Sequence, residues 1–254
     1  MALPILHPFA SLDYPDTDGL PMAESDFQLT PLLYAVAALR TYFAARADVY
    51  VAGNLFIYYE EGNRQAVVAP DVFVVIGAAK HARSSYLLWR EPKGPDFVLE
   101  ITSDSTRNKD RDEKPKTYAL LGVQEYFQYD PTKDYLEPPL QGFRLVHGLY
   151  QSLPVITEPP GRLVVHSDGL GLDLCLADEG FRFYDPVTGQ KLLTFEESEQ
   201  ARLAAEQAQR EIAQRARHEA ALRQAAEARI AELEARLQAL QASGSAEPPA
   251  DVQS

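Results

Sequence analysis

From Phe195 to Ser243 the chain holds neither glycine nor proline and is dominated by Ala, Glu, Gln and Arg, which indicates an uninterrupted helix of about 45 residues. A lone helix has no core of its own, so the folded core has to come from residues 1–194. With 46% hydrophobic and 10% aromatic residues, the chain can fill one good core. The expected organisation is a principal domain over 1–194, opened by an irregular Pro-, Asp- and Ser-rich arm at 1–25. The long helix over 195–242 and a disordered tail at 243–254 follow. Within the helix, Ile230 and Leu237 occupy one position of a heptad seam and Leu233 and Leu240 the other, while Arg223, Glu219 and Gln209 fall on the seam upstream. Two readings stay open: a solvated helix held by Glu/Arg pairs, and a coiled coil that joins copies of the chain or recruits a partner.

Charge narrows the function. The 24 Lys and Arg against 37 Asp and Glu give −13, a field that repels phosphates at long range and argues against tight non-specific DNA binding. The stretch from Phe195 onward carries 7 Arg and 11 acids, leaving 17 basic and 26 acidic residues on the body, so neither part is a basic arm. No apolar run approaches the roughly 18 residues of a membrane span, and the N-terminus lacks the basic head and apolar stretch of a signal peptide. A soluble cytoplasmic protein is expected. Cys175 stands in the alternation LGLDLCLAD, the setting of a buried small hydrophobe rather than a nucleophile. The histidines show no metal-ligand spacing and there is no Gly-rich phosphate loop, which disfavours a zinc site or a His-based triad.

Upstream of the long helix, Leu32, Val36, Leu39 and Phe43 recur at helical spacing and predict a helix from Asp26 to about Arg46, with Pro31 near its start. DVYVAGNLFIYYEEGN reads as a strand kinked at Gly53-Asn54; VVAPDVFVVIG and GPDFVLEITS read as a second and a third. Asp112 is the expected N-cap of a helix through Leu121, with Pro115 in its first turn and Gly122 at its C-cap. QEYFQYD resumes a strand, and hairpin-like pieces follow around FRLVHGLYQSL and GFRFYDPVTGQ, the latter turning at Pro186 to Gly189. The resulting order, α-β-β-β-α-β with extra C-terminal strands and a long helix, belongs to the α/β (α+β) class.

Two acids interrupt these apolar runs. Asp71 lies between Pro70 and Val72, and Glu100 lies between Leu99 and Ile101. An ionised carboxylate inside a buried strand costs several kcal/mol unless a cation or several donors compensate it, so two in neighbouring strands point to a shared cation. A hard ion such as Mg²⁺ is held by as few as one or two protein carboxylates and keeps waters and phosphate oxygens in its other positions. A basic cluster, Arg107, Lys109, Arg111, Lys114 and Lys116, follows the Glu100 strand. Lys114 falls in the first turn of the next helix, where its ammonium and the positive helix end could both face a phosphate. Each acid alone is equally explained as a solvent-facing edge residue or a structural ion pair. Trp89, near Lys80, Arg83 and Arg90, reads either as a nucleic-acid stacking residue or as the aromatic anchor of a surface loop.

Pro70-Asp71, Glu100-Ile101-Thr102, STRNKDRDEK at 105–114, and Tyr118 followed by GVQEYFQYD together resemble the Uma2 (DUF820) family of restriction-endonuclease-like proteins, in order and spacing over residues 10–190. That family is similar to the PD-(D/E)xK nucleases, whose restriction-endonuclease-like core has the α-β-β-β-α-β order read above. The resemblance implies that Asp71 and Glu100 hold Mg²⁺ or Mn²⁺, that a lysine positions or activates the attacking water, and that DNA is the substrate. Where such nucleases place that lysine, two residues after the second acid, this chain has Thr102, which carries no positive charge. The family pattern has a lysine in the following helix, which matches Lys114, and the role carries over to it, with Lys109 as a weaker substitute. Glu24 in PMAESDF matches an acid of the first helix, as a further ligand or an orienter of metal-bound water, or else as a helix-dipole partner. Arg107, Lys109 and Arg111 are then nucleic-acid contacts. The implied function is a Mg²⁺-dependent DNA endonuclease; the alternative is a nuclease-like module that no longer cleaves and serves assembly through its tail. A homo-oligomer through the body or the helix fits both. A glycoside-cleaving carboxylate pair is disfavoured for want of a sugar-stacking aromatic set.

Overall fold

Residues 14–16, 25–102 and 113–244 are described by the computed structural model. In chain order the elements are α1 (Asp26–Tyr42), β1 (Val49–Gly53), β2 (Ile57–Tyr58), β3 (Val67–Val68), β4 (Val72–Ile76), β5 (Tyr86–Leu87) and β6 (Phe97–Ile101). They continue with α2 (Lys114–Leu120), β7 (Glu125–Tyr129), β8 (Leu140–Val146), β9 (Leu149–Ser152), β10 (Ile156–Glu158), β11 (Arg162–Ser167), β12 (Leu172–Ala177), β13 (Gly180–Tyr184) and α3 (Phe195–Gly244). The chain divides into two compact units, residues 1–195 and 196–254.

The first unit is organised by a six-stranded sheet in the order β1-β4-β6-β7-β8-β9. β6 runs antiparallel to β4 and parallel to β7, the parallel step being bridged by α2, as a crossover between parallel strands requires. One face packs on α1 and on a second sheet, β10-β11-β12-β13, around Leu39, Val74, Leu99, Phe127, Leu174 and Phe183. The other face packs around Ile57, Phe73, Val98, Tyr118 and Tyr126, under α2 and the small sheet β3-β2-β5. With both faces covered, every residue of β6 and β7 is buried, the polar Glu100, Glu125 and Gln128 included.

Two of the expected strands are each split. DVYVAGNLFIYYEEGN breaks into β1 and β2 at Asn54, whose φ of 48° sits in the left-handed region; this is the kink read from Gly53-Asn54. VVAPDVFVVIG breaks into β3 and β4, which belong to different sheets, because Pro70 has no N–H for a ladder. The two breaks are joined: the Asn54 N–H donates to the carbonyls of Pro70 and Asp71 at 3.2 and 3.1 Å. α1 ends at Tyr42, short of Arg46. Beyond its end, Lys80 Nζ donates to the carbonyls of Phe43 and Ala44 at 2.6 and 3.2 Å, satisfying groups a helix end leaves open. Pro31 lies inside α1, and the carbonyl it leaves without a helical donor, that of Phe27, is in the first turn.

The hairpin read at FRLVHGLYQSL is β8-β9, turning at His147-Gly148, both with positive φ (51° and 82°) as a two-residue hairpin needs. Cys175 is 1% exposed in β12, and burial pushes its thiol up to about 11. Among the described residues no helix is long and apolar enough to cross a membrane.

Candidate functional site

Strand register brings the two acids together. Val72 pairs with Leu99 across the β4–β6 ladder, so Asp71, one residue before β4, stands opposite Glu100. Both lie on the α2 face of the sheet by alternation with Phe73 and Val98. A register slip of a single residue would turn one of them to the other face. Asp71 Oδ2 accepts the backbone N–H of Ile101 at 2.6 Å, which ties its carboxylate to the strand of its partner acid.

Behind Asp71 the backbone is packed too tightly for a side chain. A Cβ at Gly53 would lie 2.7 Å from Val36 Cγ2 and 2.9 Å from the Asp71 carbonyl oxygen. The kink of β1 therefore fixes the turn that presents Asp71.

Glu100 is fully buried. Lys114 Nζ donates to its Oε2 at 2.8 Å, and the Tyr118 hydroxyl donates to Oε1. Both donors come from α2, whose first residue is Lys114, with Pro115 next to it as expected of a first turn. Lys114 and Tyr118, four apart, share one face of that helix. Tyr118 is itself fully buried, and burial together with the neighbouring Glu100 charge holds its phenol well above the ordinary tyrosine range, as the donor. The helix starts after Glu113, and Asp112, expected as its cap, lies outside the described residues.

Thr102 is buried in line with Glu100. Its N–H donates to the Tyr129 carbonyl at 2.8 Å, and its hydroxyl has no hydrogen-bond partner among the described residues. The position of the missing lysine thus holds a buried, uncharged side chain. Gln128, which sequence reasoning passed over, is buried and is the register partner of Glu100 on β7. The signal was present: like Glu100, it is a polar residue inside a wholly buried strand.

Among the described residues, no three His, Cys, Asp or Glu gather as a metal-binding group. A divalent ion here would take two carboxylates from the protein and the remaining oxygens from water and phosphate, a coordination that Mg²⁺ or Mn²⁺ accepts. The donor set fits such an ion. Glu24, Arg107, Lys109 and Arg111 lie outside the described residues.

The loop around Trp89 is otherwise engaged. Arg83 donates to both carboxylate oxygens of Glu91 at 2.7 and 2.8 Å, and its guanidinium stacks 4.1 Å from the Tyr50 ring centroid. Trp89 packs on Tyr14 with ring centroids 5.1 Å apart. This is the anchor reading, with Tyr14 as the residue it packs on.

Fold and site together define a mixed α/β protein with a facing carboxylate pair backed by a helix lysine. The model of the family described as Uma2, putative restriction endonuclease, matches residues 14–178, more than half of the chain, and the chain belongs to that family. Among solved structures it is similar to a putative nuclease belonging to DUF820 from Anabaena variabilis ATCC 29413, with 14% identity and a TM-score of 0.40 over 55% of this chain and 75% of that one. No curated protein matches it.

Proposed function

We propose that residues 1–194 form a divalent-metal-dependent endonuclease that hydrolyses DNA phosphodiester bonds in the cytoplasm. The observation that carries this reading is the facing pair Asp71 and Glu100 with Lys114 Nζ at 2.8 Å from Glu100. Asp71 and Glu100 would hold Mg²⁺ or Mn²⁺, which when bound supplies charge stabilisation at the scissile phosphate and the leaving oxygen. Lys114 Nζ, an ammonium paired with Glu100, would orient a water for in-line attack and stabilise the hydroxide that forms as the water's proton passes to surrounding solvent. Tyr118 and the Ile101 N–H hold the two carboxylates in place. Arg107, Lys109 and Arg111 supply local positive charge for the DNA backbone against the acidic net field, and Glu24 serves as a further ligand or water orienter.

One observation favours a second reading, a nuclease-like module that does not cleave: the buried, uncharged Thr102 in the lysine position. Plasmid DNA decides between them. The nuclease reading expects Mg²⁺-dependent nicking that disappears in Asp71→Ala and in Glu100→Ala. It fails if the purified protein binds no divalent ion and wild type and both variants are equally inert on plasmid, linear and single-stranded DNA.

A further inference from the structure

The described part of the second unit is a single helix, α3, whose exposed seam is matched in charge to itself. Ile230, Leu233, Leu237 and Leu240 of α3 are 56, 49, 59 and 67% exposed. Their 3-4-3 spacing makes them the a, d, a and d positions of successive heptads, with Ala226 at the preceding d. The flanking positions are sorted by sign. Arg229 and Arg236 occupy position g, with Leu222 at the g position before them; Glu227 and Glu234 occupy position e.

That sorting discriminates between orientations. In a parallel pair aligned in register, each g residue faces the e residue of the next heptad on the other helix, so Arg229 meets Glu234 twice per pair. In an antiparallel pair g faces g and e faces e, which sets Arg against Arg and Glu against Glu, and such like-charge contacts act against the wrong arrangement. Ile230 at a with Leu233 at d suits two strands. Arg229 also bonds Glu232 along its own helix at 2.6 Å, and its five guanidinium donors allow both contacts. Upstream, Arg223 and Glu219 on the seam end the favourable stretch.

We infer that residues 226–240 of α3 form a parallel, in-register, two-stranded coiled coil with a second copy of this chain. The two helices then begin at the same end, and two copies of the first unit are tethered there. This inference is independent of whether the first unit cleaves DNA.

Light scattering on the full chain tests it. A dimer is expected, and Leu237→Glu should weaken it at least about tenfold by placing a charge in the seam. Arg229→Glu alone and Glu234→Arg alone should each weaken it by about tenfold, and the two together should restore it. Ala226→Cys, oxidised, should give a disulfide-linked dimer, because d positions face each other only in the parallel arrangement; buried Cys175 does not compete. A full chain that is monomeric at about 100 μM, or a dimer indifferent to Leu237→Glu, overturns the inference. So does a seam-dependent dimer that fails to cross-link through Ala226→Cys, which would be antiparallel.

Discussion

Gly53→Ala tests whether backbone packing, rather than the acids alone, sets the candidate site. The glycine does not have a positive φ, so alanine is conformationally acceptable; the objection is space. Its Cβ would fall about 0.7 Å short of ordinary contact with Val36 Cγ2 and about 0.5 Å short with the Asp71 carbonyl, given contacts of 2.7 and 2.9 Å against an ordinary 3.4 Å. Val36 is a side chain at the margin of the core and can turn. The Asp71 carbonyl is backbone, held by the Asn54 N–H at 3.1 Å, and moves only with its residue. Overpacking of this kind costs about 1–3 kcal/mol, offset by about 0.4–1 kcal/mol from a less flexible unfolded chain. A net loss of about 1–2 kcal/mol lowers Tm by roughly 3–6 °C in a domain of this size. If Asp71 is a ligand as proposed, displacing it by about half an ångström should also weaken Mn²⁺ binding by about tenfold. Thermal melts and calorimetric Mn²⁺ titration read the two effects separately. Gly142→Ala is the control, since its Cβ would lie 2.7 Å from Phe127 Cε1 and 2.8 Å from Val165 Cγ1, away from Asp71. It should lose similar stability and keep its metal affinity. The reasoning is refuted if Gly53→Ala melts lower yet binds Mn²⁺ like the wild type, or if Gly142→Ala loses affinity to the same degree.

Tyr118→Phe removes one donor from a fully buried carboxylate and should cost about 1.5–3 kcal/mol in denaturant unfolding and about tenfold in Mn²⁺ affinity; unchanged affinity would make Tyr118 a packing residue only. Asp130→Ala strips the acceptor shared by the N–H groups of Thr132, Lys133, Tyr135 and Leu136 at 2.6–3.1 Å, and should destabilise the first unit by about 3 kcal/mol or more, with a loss under about 1 kcal/mol counting against this account. Because the Cys175 thiol is raised from 9.0 to about 11, the folded state holds this proton more tightly than the unfolded chain does. Its contribution to stability is therefore full below pH 9 and declines as pH rises toward 11, which Cys175→Ala should abolish in a pH series of melts.

Much of the site was legible because its chemistry conflicts with its surroundings. A carboxylate in an apolar run is visible as an anomaly at Asp71, at the edge of β4, and at Glu100, inside β6, and helix-start signals located Lys114 at the start of the following helix. Gln128 carried the same anomaly but only the β6–β7 register, a contact between distant parts of the chain, reveals that it stands beside Glu100. Tyr118 stood in the sequence only as part of the family pattern, since nothing local shows which way its hydroxyl points. The splitting of two strand runs was half legible: Asn54 and Pro70 mark both breaks, yet that the halves join different sheets follows from long-range pairing. The second sheet was seen only as turns and hairpins, because β10 to β13 find their place by packing Leu174 and Phe183 against α1 rather than by any local pattern.

α2 is only seven residues long, too short to persist by itself, and depends on tertiary contacts to remain helical. Two of those contacts are the ones Lys114 and Tyr118 make with Glu100. The helix and the centre therefore share one opening equilibrium: whenever α2 frays, Glu100 loses both donors at once, and whatever secures Glu100 also secures the helix. Amide exchange across α2 should consequently report the integrity of the centre without any substrate, and slow when a divalent ion is added.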